Sequence, residues 1–248
     1  RGLCMGKKRN IIVGQSGGPT SVINSSLAGV YKTAKERGFH KVYGMLHGIE
    51  GLLDEMYVDL STQIHSDMDI ELLKRTPSAF LGSCRYKLPD IHENPAFYEK
   101  IFAILDKLDI EVFIYIGGND SMDTVSKLSR YAAHHGSDIR FIGIPKTIDN
   151  DLVLTDHTPG YGSAAKYVAA SVREIALDAS VYQQKAVTIV ELMGRHAGWL
   201  TAASALARKF EGDNPALIYL PEADFELEQF AKDLRAALEK QNSVVVCV

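Results

Sequence analysis

The chain has 248 residues, enough for one large or two modest α/β domains, and its 46% hydrophobic content supplies a real core. Lys and Arg number 27 against 31 Asp and Glu, a formal net charge of -4, and no basic block is longer than Lys7-Lys8-Arg9. That balance argues against nucleic acid and membrane as partners, and no apolar run approaches a transmembrane helix, so a soluble, cytoplasmic protein is expected.

Residues Arg1 to Asn10 are polar and lack the apolar core of a signal peptide. Met5-Gly6-Lys7-Lys8 reads as a native start, which makes Arg1 to Cys4 upstream residues. Cys4, Cys84 and Cys247 are an odd count without short spacing, so neither a disulfide framework nor a zinc site is suggested.

Asn10-Ile11-Ile12-Val13 is a short strand that enters the turn Gly14-Gln15-Ser16-Gly17-Gly18-Pro19. Val22, Ile23, Leu27, Val30, Tyr31 and Ala34 then keep a helical period. Glycines let backbone N–H groups crowd around an anion, and the following helix is expected to add its positive end. The turn lacks the Lys-Ser/Thr of a P-loop and the full dinucleotide fingerprint, so a tight turn without ligand fits it about as well. Val42 to Met45 is a second strand, Ile49 to Asp59 shows no sustained period, and Phe80 to Arg85 is a loop carrying one cation. Phe97 to Leu108 is helical, with Ile101, Phe102, Leu105 and Leu108 on one stripe.

Glu111 to Ile116 is the clearest buried strand, running into Gly117-Gly118-Asn119-Asp120-Ser121 and a helix from about Met122 to His135. Asn, Asp and Ser are ordinary helix caps; the double glycine equally permits close backbone approach, with Asp120 placed for a hydrated Mg²⁺ on a phosphate. Phe141 to Ile144 reads as a buried strand that delivers Pro145-Lys146-Thr147-Ile148-Asp149-Asn150-Asp151 to the sheet's carboxyl end, where open α/β sheets bind ligands. One cation, one hydroxyl, one amide and two carboxylates in such a run suit phosphoryl transfer. A polar turn with an Asx hydrogen bond is the plain alternative for this segment alone.

Thr158-Pro159-Gly160-Tyr161-Gly162 marks a boundary, giving domains at 5–160 and 161–248, the second opening on a helix from Ser163 to about Asp178. Ala186 to Leu192 is a strand ending in Met193-Gly194-Arg195-His196; a guanidinium beside glycine suits a sugar phosphate. A small-residue helix from Leu200 to Arg208, a strand from Ala216 to Leu220, an amphipathic helix from Leu227 to Gln241 and a strand from Ser243 to Val248 follow. That last strand stops without its turn, so the chain reads as a fragment of a longer protein. Repeated strand, turn and helix predict doubly wound parallel sheets.

Taken together the turns at Gly14 to Pro19, Phe80 to Arg85, Gly117 to Ser121, Pro145 to Asp151, Met193 to Arg195 and Pro221-Glu222 resemble the phosphofructokinase family, over Asn10 to Val248. The resemblance is closer to the pyrophosphate-dependent branch. It implies two Rossmann-like α/β domains, the first (5–160) for the donor and Mg²⁺, the second (161–248, incomplete) for the sugar phosphate, in a homo-oligomer acting on fructose 6-phosphate and pyrophosphate. By this resemblance Asp149 matches the catalytic base, with Lys146 and Asp120 also in the catalytic set. Thr147, Ile148, Met193, Gly194 and Arg195 match sugar-phosphate contacts. Gly17, Arg85 and Lys146 match contacts to the diphosphate, Asn119 and Asp120 the Mg²⁺ position, and Asp151 a supporting carboxylate. ATP-using members typically carry glycine at the positions of Asp120 and Lys146. An ATP-dependent enzyme and a non-catalytic regulatory subunit of the family are the alternatives. Asn119 departs from the aspartate of many members, an arginine before the Ala186 strand is missing with Lys185 adjacent, and later sugar-phosphate contacts fall beyond Val248.

Overall fold

A computed structural model describes residues 9–248; the cysteine and the start read at Cys4 and Met5 lie outside them. The chain divides into two compact units, 1–146 and 147–248. The division falls ahead of the expected boundary at 160/161. Residues 147–160 are stitched to each other instead: Thr147 N–H donates to Pro159 O at 3.0 Å, Thr158 Oγ1 to Thr147 O at 3.0 Å, and Thr147 bridges Gly160.

The first unit is a five-stranded sheet in the order β3-β2-β1-β4-β5. Its strands are β1 (Asn10–Gln15), β2 (Val42–Met45), β3 (Tyr57–Asp59), β4 (Ile110–Gly117) and β5 (Arg140–Pro145). All pairs are parallel except β2 with β3, so the expected parallel sheet carries one antiparallel edge. Alternation along β1 and β4 feeds two cores. Ile12, Phe113 and Tyr115 pack under α2 (Gly48–Leu53), α4 (Pro95–Lys107) and α5 (Asn119–His134). Ile11, Val13, Val112 and Ile114 pack under α1 (Ile23–Glu36) and α3 (Asp67–Arg75). In α1 the buried Ile23, Leu27, Tyr31 and Ala34 repeat at helical spacing, which is why the helix lies on the sheet. The segment Phe141 to Ile144 is not the buried strand expected: β5 is a sheet edge, and Ile142 remains 47% exposed.

The second unit has a parallel sheet in the order β6-β8-β7, from β6 (Ala186–Val190), β7 (Leu217–Ile218) and β8 (Ser243–Cys247). The last strand is therefore central and paired on both sides. Val244, Val245 and Val246 are fully buried, each contributing roughly 1.5–3 kcal/mol of transfer free energy. Helices α6 (Tyr161–Ala179) and α7 (Trp199–Ala203) supply Val168, Val172 and Leu200 to the same core, while α8 (Leu227–Lys240) contributes no fully buried residue. The stretch expected as one helix from Leu200 to Arg208 is α7 followed by a 3-10 turn, Ser204–Ala207.

Candidate functional site

From β1 the chain moves outward to β2 and β3, then returns to β4 on the other side of β1. Such a reversal leaves a crevice at the carboxyl ends of the two neighbouring strands, where open sheets receive ligands. The residues that emerge there are Ser16-Gly17-Gly18 after β1 and Gly118-Asn119-Asp120 after β4. With Arg85 and Tyr86 they line a cavity of about 380 Å³.

Two glycine turns close this cavity differently. After β4 only Gly118 intervenes before α5, so Asn119 and Asp120 occupy the first turn of a 16-residue helix. Their amides precede the first intrahelical acceptors, and the helix presents its positive end to the cavity wall. After β1 the chain runs through Ser16 to Val22 before α1 begins at Ile23. The helix expected to cap the first turn is therefore displaced from it, and the turn offers only its own backbone.

Loop 80–88 is sewn to that turn. Gly17 N–H and Ser16 Oγ both donate to Cys84 O, at 3.1 and 3.2 Å, and Ser83 Oγ donates to Gly17 O. Arg85 follows immediately, exposed and without an ion pair among the described residues. Behind the loop, burial pushes the Tyr115 phenol up; its hydroxyl accepts the Ile49 N–H and lies 3.5 Å from Cys84 Sγ.

Lys146 belongs to this first unit. Its N–H donates to Gly117 O at 2.9 Å, and its ammonium, on a residue only 6% exposed, donates to Gly18 O. One residue thus joins the end of β5 to both glycine turns, through its backbone to one and its side chain to the other. The structure so brings together Gly17, Arg85, Asn119, Asp120 and Lys146.

The remaining sites lie in the second unit. Thr147 Oγ1 accepts the Asp149 N–H at 3.1 Å and donates to Asp151 at 3.1 Å, fixing the backbone from which the half-buried Asp149 projects. Asn150, in a left-handed turn, accepts the Thr158 N–H and donates to Asp156 O, closing the loop. Ile148 packs on the unit's core together with Leu192, the neighbour of Met193. Gly194 to Ala197 form a tight turn, Ala197 N–H donating to Gly194 O at 3.3 Å, that leaves Arg195 exposed. Glu222 accepts the Gly198 N–H at 2.7 Å, and Tyr161 Oη donates to Trp199 O at 3.3 Å, so the chain that leaves this turn is held by α6 and by the segment after β7.

No group of three or more His, Cys, Asp or Glu side chains clusters among the described residues. Asn119 and Asp120 offer one amide oxygen and one carboxylate on the cavity wall. This set does not fit a cation caged wholly by protein. It fits one that keeps its waters and takes its other oxygens from a bound phosphate, the habit of Mg²⁺.

Residues 10–248 match the family model described as Phosphofructokinase. The chain belongs to the phosphofructokinase family. Within it, the chain is 44% identical over 242 residues to the pyrophosphate--fructose 6-phosphate 1-phosphotransferase of Rhodospirillum rubrum, covering 97% of this chain and 58% of that protein. It is 45% identical over 239 residues to the enzyme of the same name from Xanthomonas campestris, covering 96% of this chain and 56% of that one. The crystal structure of the pyrophosphate-dependent phosphofructokinase from Marinobacter aquaeolei superimposes with a TM-score of 0.85 at 41% identity, covering 96% of this chain and 60% of that one. The chain thus spans about three-fifths of the length of these phosphofructokinases.

Sequence reasoning missed the buried pair Gln15 and Asn24. Gln15 Nε2 donates to Asn24 Oδ1 at 2.9 Å, Gln15 Oε1 accepts the Leu81 N–H, and Asn24 Oδ1 accepts the Phe80 N–H. Both side chains are fully buried, so they position the Arg85 loop. A polar residue closing an otherwise apolar strand was their only signature.

Proposed function

We infer that this chain serves a phosphotransferase that moves a phosphoryl group from pyrophosphate to the 1-hydroxyl of fructose 6-phosphate, giving fructose 1,6-bisphosphate and orthophosphate. The observation that carries the reading is the small cavity in which one carboxylate, Asp120, stands with Arg85 at a helix N-terminus, on a glycine turn whose Gly18 carbonyl holds the Lys146 ammonium from behind. The cations and amides suit a compact polyanion; the carboxylate occupies the room a longer donor's next phosphate would need. The similarity to pyrophosphate-dependent enzymes supports the same choice.

In this reading the first unit holds the donor through Gly17, Arg85 and Lys146, and the second holds the sugar phosphate through Thr147, Ile148, Met193, Gly194 and Arg195. Asn119 and Asp120 would hold Mg²⁺, which when bound neutralises phosphate charge. Asp149 accepts the proton of the 1-hydroxyl as that oxygen forms its bond to phosphorus and the bridging P–O bond breaks. Orthophosphate leaves. A cytoplasmic homo-oligomer is part of the same proposal.

Turnover with pyrophosphate and with ATP, measured on this chain carried at its relatives' full length, tests the reading. Wild type should use pyrophosphate, and Asp120→Gly should raise the ratio of ATP to pyrophosphate efficiency. A wild type that prefers ATP, or a ratio that Asp120→Gly leaves alone, would replace pyrophosphate with the ATP-dependent alternative. Asp149→Asn should cut turnover by ~10²–10⁴ with fructose 6-phosphate binding nearly kept, the range of general-base effects. Turnover within a few-fold of wild type would remove Asp149 from that role.

A further inference from the structure

The donor cavity contains a charge that needs a partner while the pocket is empty. Asp120 is an anion on the wall of a pocket otherwise suited to anions, and alone it would repel the donor it is meant to select. Lys87 answers it. The Lys87 ammonium lies 3.4 Å from Asp120 Oδ1, with the two side chains 78% and 66% exposed.

The backbone around Lys87 is fixed on both sides. Tyr86 stacks on Phe97 with ring centroids 5.8 Å apart and planes 5° apart, and it also lines the cavity. Leu88 is 3% exposed, and its carbonyl accepts the Lys127 ammonium at 2.9 Å. A rigid backbone therefore delivers a long, solvated side chain to the mouth of the pocket, two residues beyond Arg85. An ion pair this exposed is weakly held and screened by solvent, so the ammonium leaves Asp120 readily for a stronger anion.

Resting on the donor reading above, we propose that Lys87 is an exchangeable countercharge: it covers Asp120 in the empty pocket and passes to the outer phosphate of the arriving donor. Asp120 then faces the donor's metal instead of an ammonium, and the net charge of the pocket stays balanced through the exchange. Because Asp120 fills the room beside that phosphate, the exchange suits a diphosphate and not a donor with a further phosphate there. Lys87 is thus a positioning and specificity residue rather than a catalytic one.

Calorimetric titration of the 248-residue chain with magnesium pyrophosphate tests this, because every residue invoked lies in the first unit. Lys87→Gln should weaken binding about tenfold, the loss of one charge-assisted phosphate contact, while Lys87→Arg stays within about threefold. The difference should shrink as ionic strength rises through ~0.1 M, where the screening length is ~10 Å. In an Asp120→Asn background the Lys87→Gln penalty should remain above about threefold, since the donor is the ammonium's second partner; a penalty that vanishes there overturns the exchange. If wild type binds, Arg85→Gln loses binding and Lys87→Gln stays within twofold, the inference falls and the donor reading stands. If wild type takes up no magnesium pyrophosphate, both fall.

Discussion

The turns after β1 and after β4 have the same ingredients, a buried strand, a pair of glycines and a helix, yet they do different work. After β4 the helix starts at once, and its N-terminus with Asn119 and Asp120 forms a cavity wall. After β1 seven residues separate strand from helix, and the backbone of Ser16 to Gly18 faces the same cavity unaided. The cause lies in what each glycine must accommodate. Gly117 has no room beside it because Ser121, in the first turn of α5, folds back to within contact. Gly17 and Gly18 have room, and the chain spends it on a wide turn. A strand followed by two glycines therefore announces a close backbone approach but not a helix dipole aimed at the ligand.

The sharpest way to break this contrast is Gly117→Ala. A Cβ there would stand 2.1 Å from Ser121 Oγ, 2.7 Å from its Cβ and 2.8 Å from Ser16 O, so backbone must shift as well as side chain. Overpacking of this kind costs about 1–3 kcal/mol. The urea midpoint should fall accordingly, and because Gly117 O also anchors the Lys146 N–H, magnesium pyrophosphate binding should be lost with it. An alanine variant with wild-type midpoint and binding would mean that the two turns do not depend on each other.

What the chain revealed before folding divides along the same line. Strands β1 and β4, α5 and the cluster at Gly117 to Asp120 were readable because apolar period and turn chemistry are local properties. The displacement of α1 was not, since it depends on Gln15 reaching Ile23 O and Asn24 and on Leu81 returning to Gln15 from 66 residues away. Helix α3 carries a capping box between Ser66 and Asp69, a local signal that the sequence does display. The antiparallel β3 is three residues long, too short for an alternation to register. The segment Pro145 to Asp151 reads as one functional run, yet the two compact units divide between Lys146 and Thr147, a split no local pattern encodes.

Gly17→Ala should have a middling effect. Gly17 holds φ at +78°, a conformation that costs a side-chain-bearing residue roughly 1–2 kcal/mol, while the nearest atoms, Gly118 N and Lys146 Nζ, are both 3.7 Å from the added methyl. Strain without collision predicts a urea midpoint between those of Gly117→Ala and wild type. Magnesium pyrophosphate affinity should fall too, because the methyl sits beside the Lys146 ammonium. A midpoint equal to that of Gly117→Ala would show that the first turn is as tightly packed as the second, and the contrast would dissolve.

Gly18→Ala should move stability least and so isolates the remaining question, whether the first turn is open for a ligand or merely open. No atom lies within 4 Å of the position its methyl would take, and its φ is outside the left-handed region, so neither collision nor strain opposes the change. Replacing glycine at a compatible site restricts the unfolded chain and stabilises by about 0.4–1 kcal/mol, so the urea midpoint should stay level or rise slightly. Yet Gly18 lines the cavity, and its carbonyl holds the Lys146 ammonium. If donor phosphate packs against this backbone, the added methyl occupies its space, and magnesium pyrophosphate binding should weaken several-fold in a protein that is no less stable. That separation of binding from stability is what a ligand-facing turn requires. Should both stay at wild-type values, the donor is held by the β4 turn, Arg85 and Lys146, and the glycines after β1 serve only to let loop 80–88 close on the strand.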